Sequence, residues 1–282
     1  MIIFKSSTQL SRFLEKKSLS GEQIGFVPTM GALHEGHIRL VQQAVAENTL
    51  TVCSIFVNPT QFNDPGDFEK YPSTLDRDIQ LLVPAGCSVL FVPGTGEIYP
   101  FGMDKLSSYD LGYLENILEG KYRPGHFQGV CQVVDRLLQI VRPNRLYMGK
   151  KDYQQCMVVK KLLQLNGMHT ELITCDTVRE KDGLAMSSRN QRLDALQREK
   201  AASMFRVLEM IRAEVSEGGL EALKQKGRIS LQDEGFRVDY VEICRADDLM
   251  PQDGWDGSTP LVALVAAYLG KVRLIDNMQV SF

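Results

Sequence analysis

The chain has 282 residues, 44% of them hydrophobic, 24% charged and 8% aromatic, the proportions of an ordinary globular protein with material for two domains or one large one. These figures exclude a disordered, collagen-like or coiled-coil chain. The longest apolar run, Leu261–Leu269, falls far short of the roughly 20 residues that a membrane helix needs. Net charge is −3, from 32 Lys and Arg against 35 Asp and Glu, without the basic surplus of a nucleic-acid binder. Met1-Ile-Ile-Phe-Lys5 runs into Ser, Thr and Gln rather than an apolar core, so no secretory signal is read and the expected location is the cytoplasm. Cys53, Cys87, Cys131, Cys156, Cys175 and Cys244 lie far apart with no C-x-x-C. They read as reduced, buried thiols, not as a disulfide or zinc framework.

In chain order, short apolar runs alternate with segments of helical period. Ile24–Val27 ends at Pro28, Leu50–Val57 at Asn58-Pro59, Ser88–Val92 at Pro93-Gly94, Arg145–Met148 at Gly149, and Glu171–Cys175 closes the set. Between them Val130, Val133, Val134, Leu137, Leu138 and Val141 form one apolar stripe at helical spacing. Weaker stripes cover His37–Glu47, Ser73–Val83 and Tyr153–Leu165. Strand–helix alternation predicts an α/β fold, a Rossmann-like parallel sheet with helices on both faces, over residues 1–175. Ligands in such sheets bind beyond the carboxyl ends of the strands. From residue 176 the rhythm changes: a polar loop, a long helix over Ala195–Glu217, a break at Gly218-Gly219, a short helix over Leu220–Lys226, then strands at Val238–Ile243, Leu261–Tyr268 and Lys271–Ile275. Residues 176–282 therefore read as a smaller α+β domain.

The unusual residues fall at the strand ends. Pro28-Thr-Met-Gly-Ala-Leu-His34-Glu-Gly-His37 is a glycine-bearing loop that feeds a helix, and helix N-termini suit phosphate. A loop whose histidines satisfy local carbonyls would have the same composition. His34-Glu-Gly-His37 is not the zinc motif H-E-x-x-H, because its histidines stand three apart rather than four. Asn58-Pro-Thr-Gln-Phe-Asn63 ends a strand in amide side chains, which suits a polar ligand or a plain turn. Gly149-Lys-Lys-Asp-Tyr-Gln-Gln155 sets lysines before a helix without being a P-loop. Met186-Ser-Ser-Arg-Asn190 offers two hydroxyls and a guanidinium, a phosphate clamp or a solvated loop.

Taken together and in this order, these segments resemble the pantothenate synthetase (pantoate–β-alanine ligase) family over nearly the whole chain. The resemblance rests on Pro28–His37, Phe56-Val-Asn-Pro-Thr-Gln-Phe62, Tyr122-Arg-Pro-Gly-His-Phe-Gln-Gly-Val130, Gly149–Gln155 and Met186–Asn190. His34-Glu-Gly-His37 is similar to the HxGH element of the wider nucleotidyltransferase superfamily, and Met186-Ser-Ser-Arg189 to its KMSKS counterpart. The resemblance implies that pantoate attacks the α-phosphorus of ATP, and that β-alanine then captures the pantoyl adenylate to give pantothenate and AMP. It implies ATP contacts from Met30, Gly31, Ala32, Leu33, His34, Glu35, Gly36, His37, Gly149, Lys150, Lys151, Asp152, Val178, Met186, Ser187, Ser188 and Arg189. His37 is the implied proton donor, with His34, Lys151, Ser187, Ser188 and Arg189 as the other catalytic groups. Gln61 and Gln155 are implied to bind pantoate, Gln61 also β-alanine, and Mg²⁺ to arrive with ATP. The resemblance further implies a homodimer, and a second domain that closes over the active site. Two rivals are another HxGH adenylyltransferase, whose phosphorylated acceptor would call for more cations near Gln61 and Gln155, and a nucleotide-binding regulator without catalysis.

Overall fold

A computed structural model describes residues 1–63, 65–69, 71–103 and 106–281. In chain order its elements are β1 (Ile2–Phe4), α1 (Ser7–Leu19), β2 (Ile24–Thr29), α2 (Glu35–Glu47), β3 (Leu50–Ile55), α3 (Pro65–Glu69), α4 (Leu75–Leu82), β4 (Val89–Phe91), α5 (Thr95–Ile98), α6 (Leu118–Tyr122), α7 (His126–Val141), β5 (Arg145–Gly149), α8 (Tyr153–Leu165) and β6 (Glu171–Cys175). They are followed by α9 (Ala195–Ala201), α10 (Ser203–Glu214), β7 (Gly218–Gly219), α11 (Glu221–Asp233), β8 (Arg237–Arg245), β9 (Gly254–Trp255), β10 (Leu261–Leu269) and β11 (Val272–Gln279). The chain divides into two compact units, Met1–Gly149 with Gln155–Asp176, and Lys150–Gln154 with Thr177–Phe282. The turn Lys150–Gln154 thus groups with the second unit although it follows β5 directly.

The first unit is a six-stranded sheet in the order β1-β4-β3-β2-β5-β6, parallel at every pairing. Successive strand residues point to opposite faces. On one face Val27, Cys53, Leu90, Tyr147 and Cys175 pack with Ile38, Val41 and Ala44 of α2 and Leu82 of α4. Elsewhere α7 packs on β2 and on α1. The stripe read from Val130 to Val141 is the buried side of α7. Strand order reverses at β2, which has β3 on one side and β5 on the other, so the carboxyl ends of β2 and β5 mark the switch point where such sheets bind ligands.

Two departures from the sequence pattern affect this unit. Strand β2 does not stop at Pro28 but runs through it to Thr29. A proline lacks the N–H of a ladder bond, and β2 tolerates it because pairing with β5 covers only Gly25 and Phe26, while pairing with β3 continues to Thr29. The edge strand β1 and helix α1 were not anticipated: three residues carry no period, and β1 exists by pairing in parallel with β4.

In the second unit, α10 and α11 pack on an antiparallel sheet ordered β11-β10-β8, and β7 pairs with β9 as a separate ribbon. The central strand β10 is a continuous apolar run, as expected of a strand covered on both sides. The single helix expected over Ala195–Glu217 is two, α9 and α10, broken at Ala202, where ψ is −16°. The helix expected over Leu220–Lys226 continues to Asp233. No helix among the described residues is long and apolar enough to cross a membrane.

Candidate active site

In the first unit the loop after β2 reaches α2 through two consecutive left-handed residues, Gly31 (φ 81°) and Ala32 (φ 49°). An alanine in that region is strained, and a buried carboxylate holds it there. Asp78 of α4, 1% exposed, accepts the Ala32 N–H at Oδ2 (3.0 Å) and the Leu33 N–H at Oδ1 (2.9 Å). Thr74 Oγ donates to the same carboxylate at 3.1 Å. Thr29 Oγ accepts the Gly31 N–H at 3.3 Å, and a Cβ on Gly31 would lie 3.1 Å from Asp78 Oδ2. In the sequence Asp78 is one acid among several around a helix start, and no local pattern marks it.

His34 is the N-cap of α2. Its Nδ1 accepts the Gly36 N–H at 3.2 Å, and His37 Nδ1 accepts the His34 N–H at 3.3 Å. The two rings lie 4.1 Å apart. A ring nitrogen that accepts is unprotonated, so each neutral imidazole carries its proton on Nε2. The His37 N–H donates to the His34 carbonyl. The amides of Gly36 and His37, expected from sequence to face an anion, are thus engaged within the cap. Glu35, the first residue of α2, is ion-paired with Arg39 at 3.5 Å.

Beyond β3, Asn58 caps the short turn Pro59–Gln61. Asn58 is 1% exposed; its Oδ1 accepts from Tyr99 Oη (2.7 Å) and Thr60 Oγ (3.1 Å), and its Nδ2 donates to the Gly129 carbonyl (3.1 Å). Asn58 Nδ2 also donates to Gln61 Oε1 at 3.2 Å, and Gln61 Nε2 reaches Met30 Sδ at 2.9 Å. The structure therefore joins Met30 of the histidine loop to Gln61, two residues 31 apart for which the resemblance implies different substrates. Gln155 stands half-buried in the first turn of α8. Gly149 ends β5 at the switch point.

In the second unit the turn Lys150–Asp152 is pinned from β11: Asn277 Nδ2 donates to the carbonyls of Lys150 and Lys151, both at 2.9 Å. Next to it Asp276, almost wholly buried, takes a two-pronged bond from Arg179, Nη1 to Oδ2 at 2.6 Å and Nη2 to Oδ1 at 3.0 Å. Burial pushes the Asp276 carboxyl up, and the Arg179 guanidinium opposes this. Arg179 also covers the Phe205 ring at 4.7 Å. The carbonyl of Val178, one residue before Arg179, accepts the Met186 N–H at 3.0 Å, so these two expected nucleotide contacts are adjacent. Ser187 Oγ accepts the Arg189 N–H at 3.3 Å and caps the turn Ser188–Arg192, within which Ser188 is buried. Tyr153 Oη donates to the Ala246 carbonyl at 2.6 Å.

The chemistry on offer is charge stabilisation by positioned donors and cations. A family model described as pantoate-beta-alanine ligase matches residues 2–279. The chain is 43% identical to the pantothenate synthetases of Azobacteroides pseudotrichonymphae and Cytophaga hutchinsonii, over 99% of each chain in both cases. The crystal structure of pantothenate synthetase from Thermus thermophilus is 40% identical, covers all of both chains and superposes with a TM-score of 0.92. A pantoate-beta-alanine ligase from Francisella tularensis, solved in complex with β-γ ATP and β-alanine, is 40% identical with a TM-score of 0.83, over 99% of this chain and 98% of that one.

Proposed function

The chain belongs to the pantoate–β-alanine ligase family, and from that premise we propose how its residues divide the ATP-dependent condensation of pantoate with β-alanine. In the first step a pantoate carboxylate oxygen bonds to the α-phosphorus of ATP and the bond to pyrophosphate breaks, giving pantoyl adenylate. In the second the β-alanine amine attacks the activated carbonyl, loses a proton and expels AMP. Neither step needs a covalent enzyme intermediate; both need negative charge to be met as it moves.

His34 and His37 supply Nε2–H hydrogen bonds to phosphoryl oxygens, and His37 acts as the proton donor once its ring is protonated. The capping bonds at both Nδ1 atoms support the hydrogen-bonding role, because an accepting Nδ1 leaves the proton of a neutral ring on Nε2. Residues Met30–Leu33, Glu35–Gly36 and Gly149 contact ATP. Lys150, Lys151 and Asp152, then Val178 and Met186–Arg189, are assigned to the nucleotide as well. Lys151 and Arg189 carry the positive charge, while Ser187 and Ser188 donate hydroxyls. Mg²⁺ enters with the triphosphate as part of the substrate. Gln61 and Gln155 hold pantoate through neutral amides, which orient the carboxylate without the strong pairing of an arginine that would blunt it as a nucleophile. Gln61 also lies next to β-alanine. A cytoplasmic homodimer is the proposed setting.

The observation that carries this reading is the 2.9 Å approach of Gln61 Nε2 to Met30 Sδ, which puts the acceptor amide against the histidine loop. The test is isotope exchange of pyrophosphate into ATP. It is expected with pantoate alone, before β-alanine is added, and pantothenate and AMP appear only with β-alanine. Exchange that ignores pantoate, or that prefers a phosphorylated acceptor, would favour another HxGH adenylyltransferase. Nucleotide binding without exchange would favour a regulator.

A further inference from the structure

The segment Tyr122–Val130 carries much of the family resemblance, yet none of its residues has a role in the scheme above. It meets the acceptor site at Gln61 and the turn before it. His126 opens α7 directly after Gly125, whose φ of 78° turns the chain into the helix. His126 is 6% exposed, with Nδ1 2.8 Å from the carbonyl oxygen of Gln61 and Nε2 3.1 Å from Nη1 of Arg123. A guanidinium has donors only. His126 Nε2 must therefore accept from Arg123, which leaves the proton on Nδ1, where it is donated to Gln61. A proton on Nε2 would place N–H against N–H at Arg123, so the geometry is that of the Nδ1–H tautomer. Arg123 is itself anchored by the buried Glu119 at 3.6 Å, and its Nη2 also lies 3.4 Å from the Gln61 carbonyl.

We propose that His126 is a positioning residue for the acceptor substrate: as its neutral Nδ1–H tautomer it fixes the main chain of Gln61, and through it the amide that meets pantoate. The inference rests on the assignment of Gln61 to pantoate made above. One turn along α7, Gly129 supports the same seat. A Cβ there would lie 2.3 Å from the Thr60 carbonyl oxygen and 2.8 Å from the Gln61 nitrogen, so the helix lies directly against the turn. Backbone contact from Gly129 sets how close the turn sits. The His126 bond sets the direction of the Gln61 carbonyl, and so of the side chain on the same residue. Asn58 and Met30 then receive the two ends of the Gln61 amide.

The mechanism predicts an order among three substitutions. In His126→Asn the amide nitrogen sits at the same distance from Cβ as Nδ1 and keeps the donor. In His126→Gln the donor moves out to the position of Nε2, and His126→Leu has none. Steady-state kinetics with pantoate and ATP varied separately should show the KM for pantoate raised about tenfold or more in the Leu and Gln variants, as expected for a lost hydrogen bond. The KM for ATP should stay within about twofold, and Asn should recover most of the difference. Gln61→Ala is measured alongside, and His126→Leu added to it should cost nothing more in pantoate KM, because the residue being positioned is gone. An Asn variant no better than Gln, or equal rises for ATP and pantoate, would show a merely structural role and overturn the proposal. The Asn–Gln comparison decides this even if the Leu variant does not fold. An unchanged pantoate KM in Gln61→Ala would instead overturn the acceptor assignment itself.

Discussion

Asp78→Asn tests whether the histidine loop is held from below. The substitution keeps size and one acceptor oxygen but removes the charge and turns the other oxygen into an NH₂ group. Asp78 accepts two buried backbone N–H groups, from Ala32 at 3.0 Å and Leu33 at 2.9 Å, with one oxygen each. After substitution one of those N–H groups faces a donor. A hydrogen bond to a charged group contributes about 1.5–3 kcal/mol, and a stranded buried N–H costs about 1–3 kcal/mol. These are two descriptions of one loss, so about 2–3 kcal/mol is the working figure. The loop can recover part of it by letting Ala32 leave its left-handed conformation (φ 49°), which releases about 1–2 kcal/mol. Release of Ala32 moves His34 and His37 off their cap. The loss should therefore divide between stability and function: a drop of about 1–2 kcal/mol in urea unfolding, and a reduced population of the binding-competent loop that raises the KM for ATP about tenfold. Pantoate affinity measured without nucleotide should change less. Urea melts and single-turnover adenylate formation on the same preparation provide the check. An Asp78→Asn protein with unchanged melting and unchanged adenylation would refute the claim that this carboxylate shapes the site.

Three further outcomes are expected. Gly129→Ala must push the Pro59–Gln61 turn away, since its Cβ would lie 2.3 Å from the Thr60 carbonyl oxygen; a stability loss of about 1–3 kcal/mol with a weakened pantoate response should appear in thermal melts and pantoate titrations, and a neutral variant would contradict the packing. Lys151→Ala should slow adenylate formation about 10²–10³-fold, the cost of one preorganised donor, and Lys150→Ala should slow it less than about tenfold; single-turnover assays giving the reverse order would move the nucleotide to the other side of the turn that Asn277 pins. Burial pushes the thiol of Cys87 up to about 11 and those of Cys131 and Cys244 up to about 12, whereas unfolded thiols titrate near about 8.5. The folded chain therefore keeps protons that the unfolded chain loses. Stability should be full below about pH 8.5 and fall above it by about 1.4 kcal/mol per pH unit per thiol, until the folded thiols titrate near pH 11–12. Urea melts at about pH 8, 9 and 10 measure the slope, Cys131→Ala should flatten it, and a flat wild-type profile would show that the thiols reach water.

The parts of this protein legible in the sequence are those written in neighbouring residues. The helical stripe over Tyr153–Leu165 and the apolar run Glu171–Cys175 coincide with α8 and β6, and the stripe of α7 follows from its period, because a buried helix face repeats every three or four positions. The loop from Pro28 to His37 and the turn at Asn58 were legible for the same reason: a cap or a turn is built by side chains two or three residues from the backbone they satisfy. Contacts across long separations were not. The edge strand β1 is set by pairing with β4. The break between α9 and α10 falls at Ala202, with neither glycine nor proline to mark it. Pro28 sits inside a strand because its pairing on one side ends two residues earlier. The sequence by itself determined the parallel α/β architecture, the strand ends where polar residues gather and the class of chemistry they serve. The tertiary structure alone decided that the Nδ1 atoms of His34 and His37 accept backbone N–H groups, that Asp78 holds Ala32 from 46 residues away, and that the His126 ring meets the Gln61 carbonyl across 65. A hydrogen bond depends on where an atom lies in space, and the chain brings such distant atoms within about 3 Å of one another only once its core has packed.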